Sequence, residues 1–502
     1  MNKVKNWVWS LLLAVPLLVL FTGCKKFLDR KPLTATLDDL NQGGLEGQIY
    51  GLYGAIRNGD VAGQAFGGIP WLAIHGFRAD DSEKGSSAAD GADWGVIYDQ
   101  FQYVKDHWSN TTYWDQHYVL IGQANTALQL ADSLGLTDAA SMVNIAEAKF
   151  FRAFSYFDLV RTFGEVPKID FRVYNPNDSK KAKAPVAEIY ALIDADLSFA
   201  IANLPATWPA KYTGRLTNAA AKALQAKAML YRQNWSGALA LCQQIISTGQ
   251  YELKSDFTKL FREEGENSKE SIWEIQAYIG PNGTDNYFSW YGIAQGVRGS
   301  GEWDLGWGWN TPTQSLVDAY EAGDIRKDAT ILYSGQSDGY YGRTVPGSVF
   351  DVPAGPLPRK FWNKKVYPEP AMQTQTGNRQ AGWVNQRELR YADVLLMAAE
   401  AANELGGAGN QALALSYINQ IRTRAGLANA AFVDQASFRT IIKNERRYEL
   451  AMEGERFFDL VRWGDANTVL GGAGYTDCHK YYPIPQAAID FAGGVLVQNP
   501  CW

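Results

Sequence analysis

The sequence predicts a mostly α-helical protein, a tetratricopeptide-like scaffold of helical hairpins interrupted by a loop-rich insertion. Three observations predict it. Several long stretches carry apolar residues at helical spacing; residues 216–246 and 390–427 each read as two short helices with small residues between the large ones; and residues 271–383 lose that period while Gly, Pro, Trp and Tyr become dense. At 502 residues, 46% of them hydrophobic, the chain can bury a large core.

The first helical pattern runs over 40–57 and the second over 112–134, with Asn110, Thr111 and Thr112 as candidate caps. Residues 146–163 set Phe150, Phe151, Phe154, Phe157, Val160 and Phe163 among small residues and stop at Gly164 and Pro167, both helix terminators. That aromatic stripe reads as core. In 216–246 the break falls near Asn234 and Trp235, and alanines allow the two helices to approach closely; in 390–427 it falls in the glycines of 406–409. Stacked hairpins of this kind form a solenoid without a strict sequence period.

Residues 444–464, NERRYELAMEGERFFDLVRWG, crowd nine charged side chains among aromatics without a proline, and read as one helix. Phe457, Phe458, Leu460, Val461 and Trp463 interleave with the charges, so some charges are buried, which is tolerable only if they pair. The pairs Glu453 with Arg456, Arg456 with Asp459, and Asp459 with Arg462 stand at i,i+3. The expectation is a buried ionic lattice that locks helices together.

At the N-terminus, Lys3 and Lys5 precede an apolar run over 7–21, too short for a membrane span and suited to a signal peptide. It ends Leu-Phe-Thr-Gly-Cys, which looks like a lipobox with Cys24 as the acylated residue and implies a lipid anchor rather than a spanning helix. Removing 1–23 takes away two lysines, leaving 45 basic against 53 acidic side chains, a net charge of −8 that disfavours nucleic acid as a partner. Cys242, Cys478 and Cys501 are no disulfide framework, although Cys478 and Cys501 can pair in an oxidising compartment. Four histidines without HExxH spacing make no case for a metal, and nothing points to a cofactor.

The segment 299–310, GSGEWDLGWGWN, sets Trp303, Trp307 and Trp309 among glycines that preclude a stable helix. Flat indoles suit the apolar faces of sugar rings, and Glu302 and Asp304 flank Trp303; the same rings also serve to pin loops to a core. Trp290 belongs to a further aromatic group with Tyr287 and Tyr291. The acidic loop 77–94, FRADDSEKGSSAADGADW, offers Arg78, Asp80, Asp81 and Trp94 as contacts; its carboxylates lack the D-x-D-x-D-G spacing of a calcium loop. Residues 335–339, GQSDG, match the nucleophile-elbow string after a candidate strand at 331–333, but turn sequence follows where the elbow needs a helix.

The signature at 444–464 resembles the SusD/RagB family of outer-membrane nutrient-binding lipoproteins. Residues 113–128 (YWDQHYVLIGQANTAL), 146–167 (AEAKFFRAFSYFDLVRTFGEVP) and 481–500 (YYPIPQAAIDFAGGVLVQNP) extend the resemblance in the expected order. It implies a division into a signal peptide at 1–23, a lipid-anchored tether at 24–38, a helical region at 39–270, a ligand-binding insertion at 271–383 and a C-terminal helical region at 384–502. It also implies binding without cleavage, a glycan ligand, a SusC-like TonB-dependent transporter as partner, and an outer-membrane, outward-facing location. Arg78, Asp81, Trp94, Trp290, Trp303, Trp307 and Trp309 are the candidate ligand contacts. A peptide or other nutrient as ligand stays open, as does a surface glycoside hydrolase using carboxylates such as Glu302 and Asp304; a periplasmic face stays open too, because Lys25 and Lys26 stand where surface-export signals often carry acidic residues.

Overall fold

A computed structural model describes residues 43–502 apart from 58–64, 88, 284–286, 348, 351–356, 359, 378 and 381. The signal segment, Cys24 and the tether lie outside the described residues. By compactness the chain divides into residues 1–47 and 48–502. Of the first, residues 43–47 are described, and they include the start of helix α1, Gly44–Ala55.

The second unit is a succession of packed helices. After the short α2, Ile69–His75, helix α3, Trp108–Ser133, packs on α4, Ala139–Phe163; α4 packs on α5, Val186–Asn203; α5 on α6, Asn218–Tyr231; and α6 on α7, Trp235–Ile246. Polar caps start these helices: the Asp138 carboxylate accepts from Ala140 N and Ser141 N, Thr217 from Ala220 N and Asn234 from Gly237 N. Helix α3 begins before the caps expected for it, so Asn110 lies inside the helix, donating to Pro483 O at 3.0 Å. The aromatic stripe of α4 is buried throughout, as its small neighbours predicted.

Helix α7 then packs against an element almost 150 residues later, α9, Tyr391–Leu405. The solenoid therefore continues across the intervening segment, which is looped out. At its neck β2, Ser271–Ile275, pairs antiparallel with β6, Gln386–Arg390. One small antiparallel ladder ties it to the earlier loop, β1, Ser82–Gly85, with β3, Trp309–Pro312, and another lies inside it, β4, Ile331–Tyr333, with β5, Phe361–Asn363. They frame a helix α8, Trp290–Gln295. Helix α9 packs in turn on α10, Ala408–Arg424, and on α11, Gln435–Leu450.

The signature segment is two helices, not the single one its charge spacing suggested. Helix α11 stops at Leu450, residues 451–455 turn, and α12 spans Arg456–Trp463. Met452 and Gly454 both adopt left-handed φ, +66° and +84°, a break that Gly454 permits. The turn redirects the charges. Asp459 keeps its i,i+3 contact with Arg462 at 2.8 Å, but Glu453 binds Lys365 and Arg390, Arg456 binds Asp80 and Asp459 also binds Arg446. The ionic lattice is present, and it is tertiary: Arg326, wholly buried, meets Asp324, Glu445 and Glu449, while Arg424 joins Glu270 to Glu449. Cys478 and Cys501 form a disulfide; Cys242 is free and buried. No helix among the described residues is long and apolar enough to cross a membrane.

Candidate functional site

Three of the tryptophans expected at a ligand belong to the interior. Trp303, 4% exposed, stacks parallel on Tyr367 at 5.9 Å in a cluster with Val297, Leu305, Leu332 and Trp362, beneath the Arg343 guanidinium. Trp309, 3% exposed, stands in β3 opposite Gly85, stacked on Phe77 and edge-on to Trp94, itself 4% exposed. For Trp94 and Trp309 the physical reason is the ladder between β1 and β3. It joins the two loops that the sequence presented separately, and their indoles fill the space between them.

Arg78 and Asp81 are also buried. Arg78 is fully buried, its guanidinium 3.9 Å from the Phe457 ring and its Nε donating to Ile74 O at 2.8 Å. Asp81 accepts from Arg447 Nε at 2.7 Å, and Asp80 is shared by Arg447 and Arg456. Burial pushes the Asp81 carboxyl up despite Arg447, whereas the Asp80 carboxyl, also desolvated, is held below its usual range by Arg456 and Arg447. The loop's charges are used to fasten it to the C-terminal helices.

Trp290 and Trp307 differ. Ser289 caps α8 by accepting from Tyr291 N at 3.1 Å, which fixes Trp290 at the helix start. Trp307 N donates to Ile293 O at 2.9 Å, holding the loop against that helix. At Gly308, φ +69°, a Cβ would stand 2.9 Å from both Arg298 and Trp362, so the chain can turn there only without a side chain. The turn leaves Trp307 half-buried between two inward tryptophans, and its ring meets Trp290 edge-on at 5.1 Å.

Phe288 packs on Trp290, and beyond it Tyr287 exchanges two backbone hydrogen bonds with Tyr278, at 2.7 and 2.9 Å. These two tyrosines are 54% and 52% exposed. The Arg57 guanidinium lies 4.7 Å from the Tyr287 ring centroid. Tyr278, Tyr287 and Arg57 border a cavity of about 580 Å³ whose wall includes Tyr50, Tyr53, Tyr212, Arg215 and Gln276, an ordinary size for a ligand pocket. Tyr53 donates to Glu147 Oε1 at 2.6 Å, and Arg215 grips the same carboxylate through Nε and Nη2. Burial and the Glu147 charge push the Tyr53 phenol well up, so it serves as a hydrogen-bond donor.

Sequence reading missed the α1 side of this cavity. Tyr50, Tyr53 and Arg57 stand at i, i+3 and i+7, one helical face, which is the signal that was there to find. The elbow string is a polar turn: Ser337 Oγ accepts from Gly339 N, and the Asp338 carboxylate accepts from the N–H groups of residues 340–342 and from Tyr367 Oη.

The SusD family model matches residues 269–477, and a model described as starch-binding associating with outer membrane matches 67–230. SusD-like protein P2 of Formosa agariphila is 28% identical over 91% of this chain and 92% of its own length, and the starch-binding protein SusD of Bacteroides thetaiotaomicron is 25% identical over 71% and 72%. Among solved structures, a laminarin-binding SusD-like protein superposes with a TM-score of 0.74 at 26% identity, covering 91% of this chain and 99% of that one. The surface glycan-binding protein A of Bacteroides thetaiotaomicron in complex with laminarihexaose does so with 0.74 at 26%, covering 91% and 98%. With the looped-out insertion and the paired signature helices in place, the chain belongs to the SusD family.

Proposed function

We propose that the protein is an outer-membrane binding protein that captures oligosaccharides and delivers them to a SusC-like TonB-dependent transporter, without cleaving them. The likeness to laminarin-binding and starch-binding relatives supports the ligand class. The carrying observation is the run of accessible rings from Tyr278 and Tyr287 through Phe288 to the Trp290–Trp307 pair, bordered by a cavity with hydrogen-bonding walls. Apolar sugar faces lie on such rings while Arg57 and Gln276 meet hydroxyls. Acylation at Cys24 anchors the protein, with the binding face outward.

Affinity electrophoresis of a soluble form beginning after Cys24, in gels containing laminarin, starch or other polysaccharides, tests this. Retardation in one gel, lost by a Trp290→Ala/Trp307→Ala double variant that melts normally, is the expected result. Absence of retardation in every gel would sink the glycan reading in favour of a peptide or another nutrient.

A further inference from the structure

A second cavity, of about 400 Å³, shares a wall with the first. Tyr212, Thr213, Gly214, Arg215 and Glu274 border both. The wall is a low ridge. Gly214, at φ +91°, carries no side chain and lies so close to Gln276 that a Cβ would stand 2.5 Å from its Cγ, and the neighbouring Thr213 is exposed. Across the ridge Gln276 and Asn267 form a reciprocal amide pair, with Asn267 Nδ2 donating at 2.9 Å and Gln276 Nε2 at 3.0 Å. Gln276 faces the first cavity and Asn267 the second.

The chemistry of the second cavity is that of a neutral polyhydroxylated ligand. Its centre is the half-buried Trp208 indole, pinned by a hydrogen bond from Nε1 to Leu216 O at 2.8 Å and edge-on to Tyr212 at 5.6 Å, so the ring is set before any ligand arrives. The Arg215 guanidinium lies 4.2 Å from that indole but is engaged by Glu147. Lys269 pairs with Glu252 at 3.4 Å, and the Glu274 carboxylate accepts from Asn267 N and Asn385 Nδ2. With these charges matched internally, what remains toward solvent is aromatic surface with the amides of Gln250 and Asn267 and the Thr207 hydroxyl.

We propose that the groove at Trp208 and Asn267 is a second glycan subsite, reached when an oligosaccharide seated against Tyr278 and Tyr287 continues over the Thr213–Gly214 crest. The proposal rests on the glycan-binding reading above and adds to it a preference for longer chains, since the second set of contacts is made by a ligand already tethered.

Titration calorimetry with laminaritriose, laminarihexaose, maltotriose and maltohexaose tests it, using the wild type, Trp208→Ala and Thr213→Trp. The second variant raises the crest at an exposed position and leaves the Trp208 packing untouched. For the sugar series that binds, the hexasaccharide is expected to bind about tenfold or more tightly than the trisaccharide. Both variants, checked for native melting, should bring the hexasaccharide to the trisaccharide's affinity without changing the latter. Equal affinity for both lengths in the wild type, or a hexasaccharide advantage that Thr213→Trp retains, overturns the second subsite while leaving the first reading intact. Failure of all four sugars to bind the wild type overturns the second subsite, and together with the absence of retardation in every polysaccharide gel it overturns the first reading as well.

Discussion

Arg390 and Glu453 meet in a two-point contact: Nε donates to Glu453 Oε2 at 2.7 Å and Nη2 to Oε1 at 2.8 Å. The same guanidinium reaches Glu270 Oε1 at 2.8 Å and Glu449 Oε1 at 3.1 Å. Arg390 ends β6 at the neck of the insertion, Glu270 precedes β2 on the other side of that neck, and Glu453 lies in the turn between α11 and α12. One buried side chain thus ties the loop-bearing insertion to the C-terminal helices, which holds the aromatic site in a fixed relation to the scaffold.

Replacing Arg390 by methionine removes the cation and leaves the carboxylates of Glu270, Glu449 and Glu453 facing one another. Uncompensated buried charge of this kind costs about 3–5 kcal/mol. The urea midpoint of the Arg390→Met protein should fall accordingly. A change of only a few tenths of a kcal/mol would mean that Arg424 and Lys365 alone suffice to neutralise the lattice.

Glu449 makes the lattice sensitive to acid. Burial alone would raise its carboxyl, but Arg424, Arg390 and Arg326 outweigh it and hold the group well below its ordinary range. A depressed carboxyl contributes stability that is present above its unfolded pKa of about 4.3 and is lost as pH falls through the folded value. The melting temperatures of wild type and Glu449→Gln should therefore differ most near neutrality and converge toward pH 3. Parallel curves down to pH 3 would contradict the assignment.

Lys365 acts in the opposite sense. Burial pushes its ammonium down to about 8, against the attraction of Glu453 and with the repulsion of Arg390. Its cost to folding is fully present below pH 8 and is relieved between 8 and the ordinary value near 10.5, a span worth about 3 kcal/mol. Relative to Lys365→Met, the wild type should gain stability over that alkaline window, a difference that denaturant melts at pH 7.5 and 10 would read.

How much of this was legible beforehand follows from the range of the interactions. The stripe of α4 and the hairpin of α6 and α7 are local periodicities, so Phe150 to Phe163 and the alanines beside Asn234 announced their own burial. The paired charges of 444–464 announced a lattice but not its partners, because Arg390, Lys365 and Asp80 are brought in by tertiary contacts. The same limit applied to the tryptophans. Trp303, Trp307 and Trp309 are equivalent in a glycine-rich string, and it is the cluster with Tyr367 and Trp362 that takes the first inward and the pairing of β1 with β3 that takes the last.

That difference makes the tryptophans separable by experiment. Trp303→Ala removes a ring stacked on Tyr367 within a closed cluster, a deletion that costs about 3–5 kcal/mol of stability. Trp307→Ala removes a half-buried ring that meets Trp290 edge-on, and should cost about 1 kcal/mol or less in folding. Glycan affinity is expected to move the other way: the Trp307 variant loses retardation in the polysaccharide gel while melting near the wild-type temperature, and the Trp303 variant melts early but, below its transition, still binds. If the Trp303 variant lost affinity while its fold and the Trp307 variant's binding were both intact, the ligand face would lie on the Arg343 side of that indole, and the platform at Trp290 and Tyr287 would be packing alone.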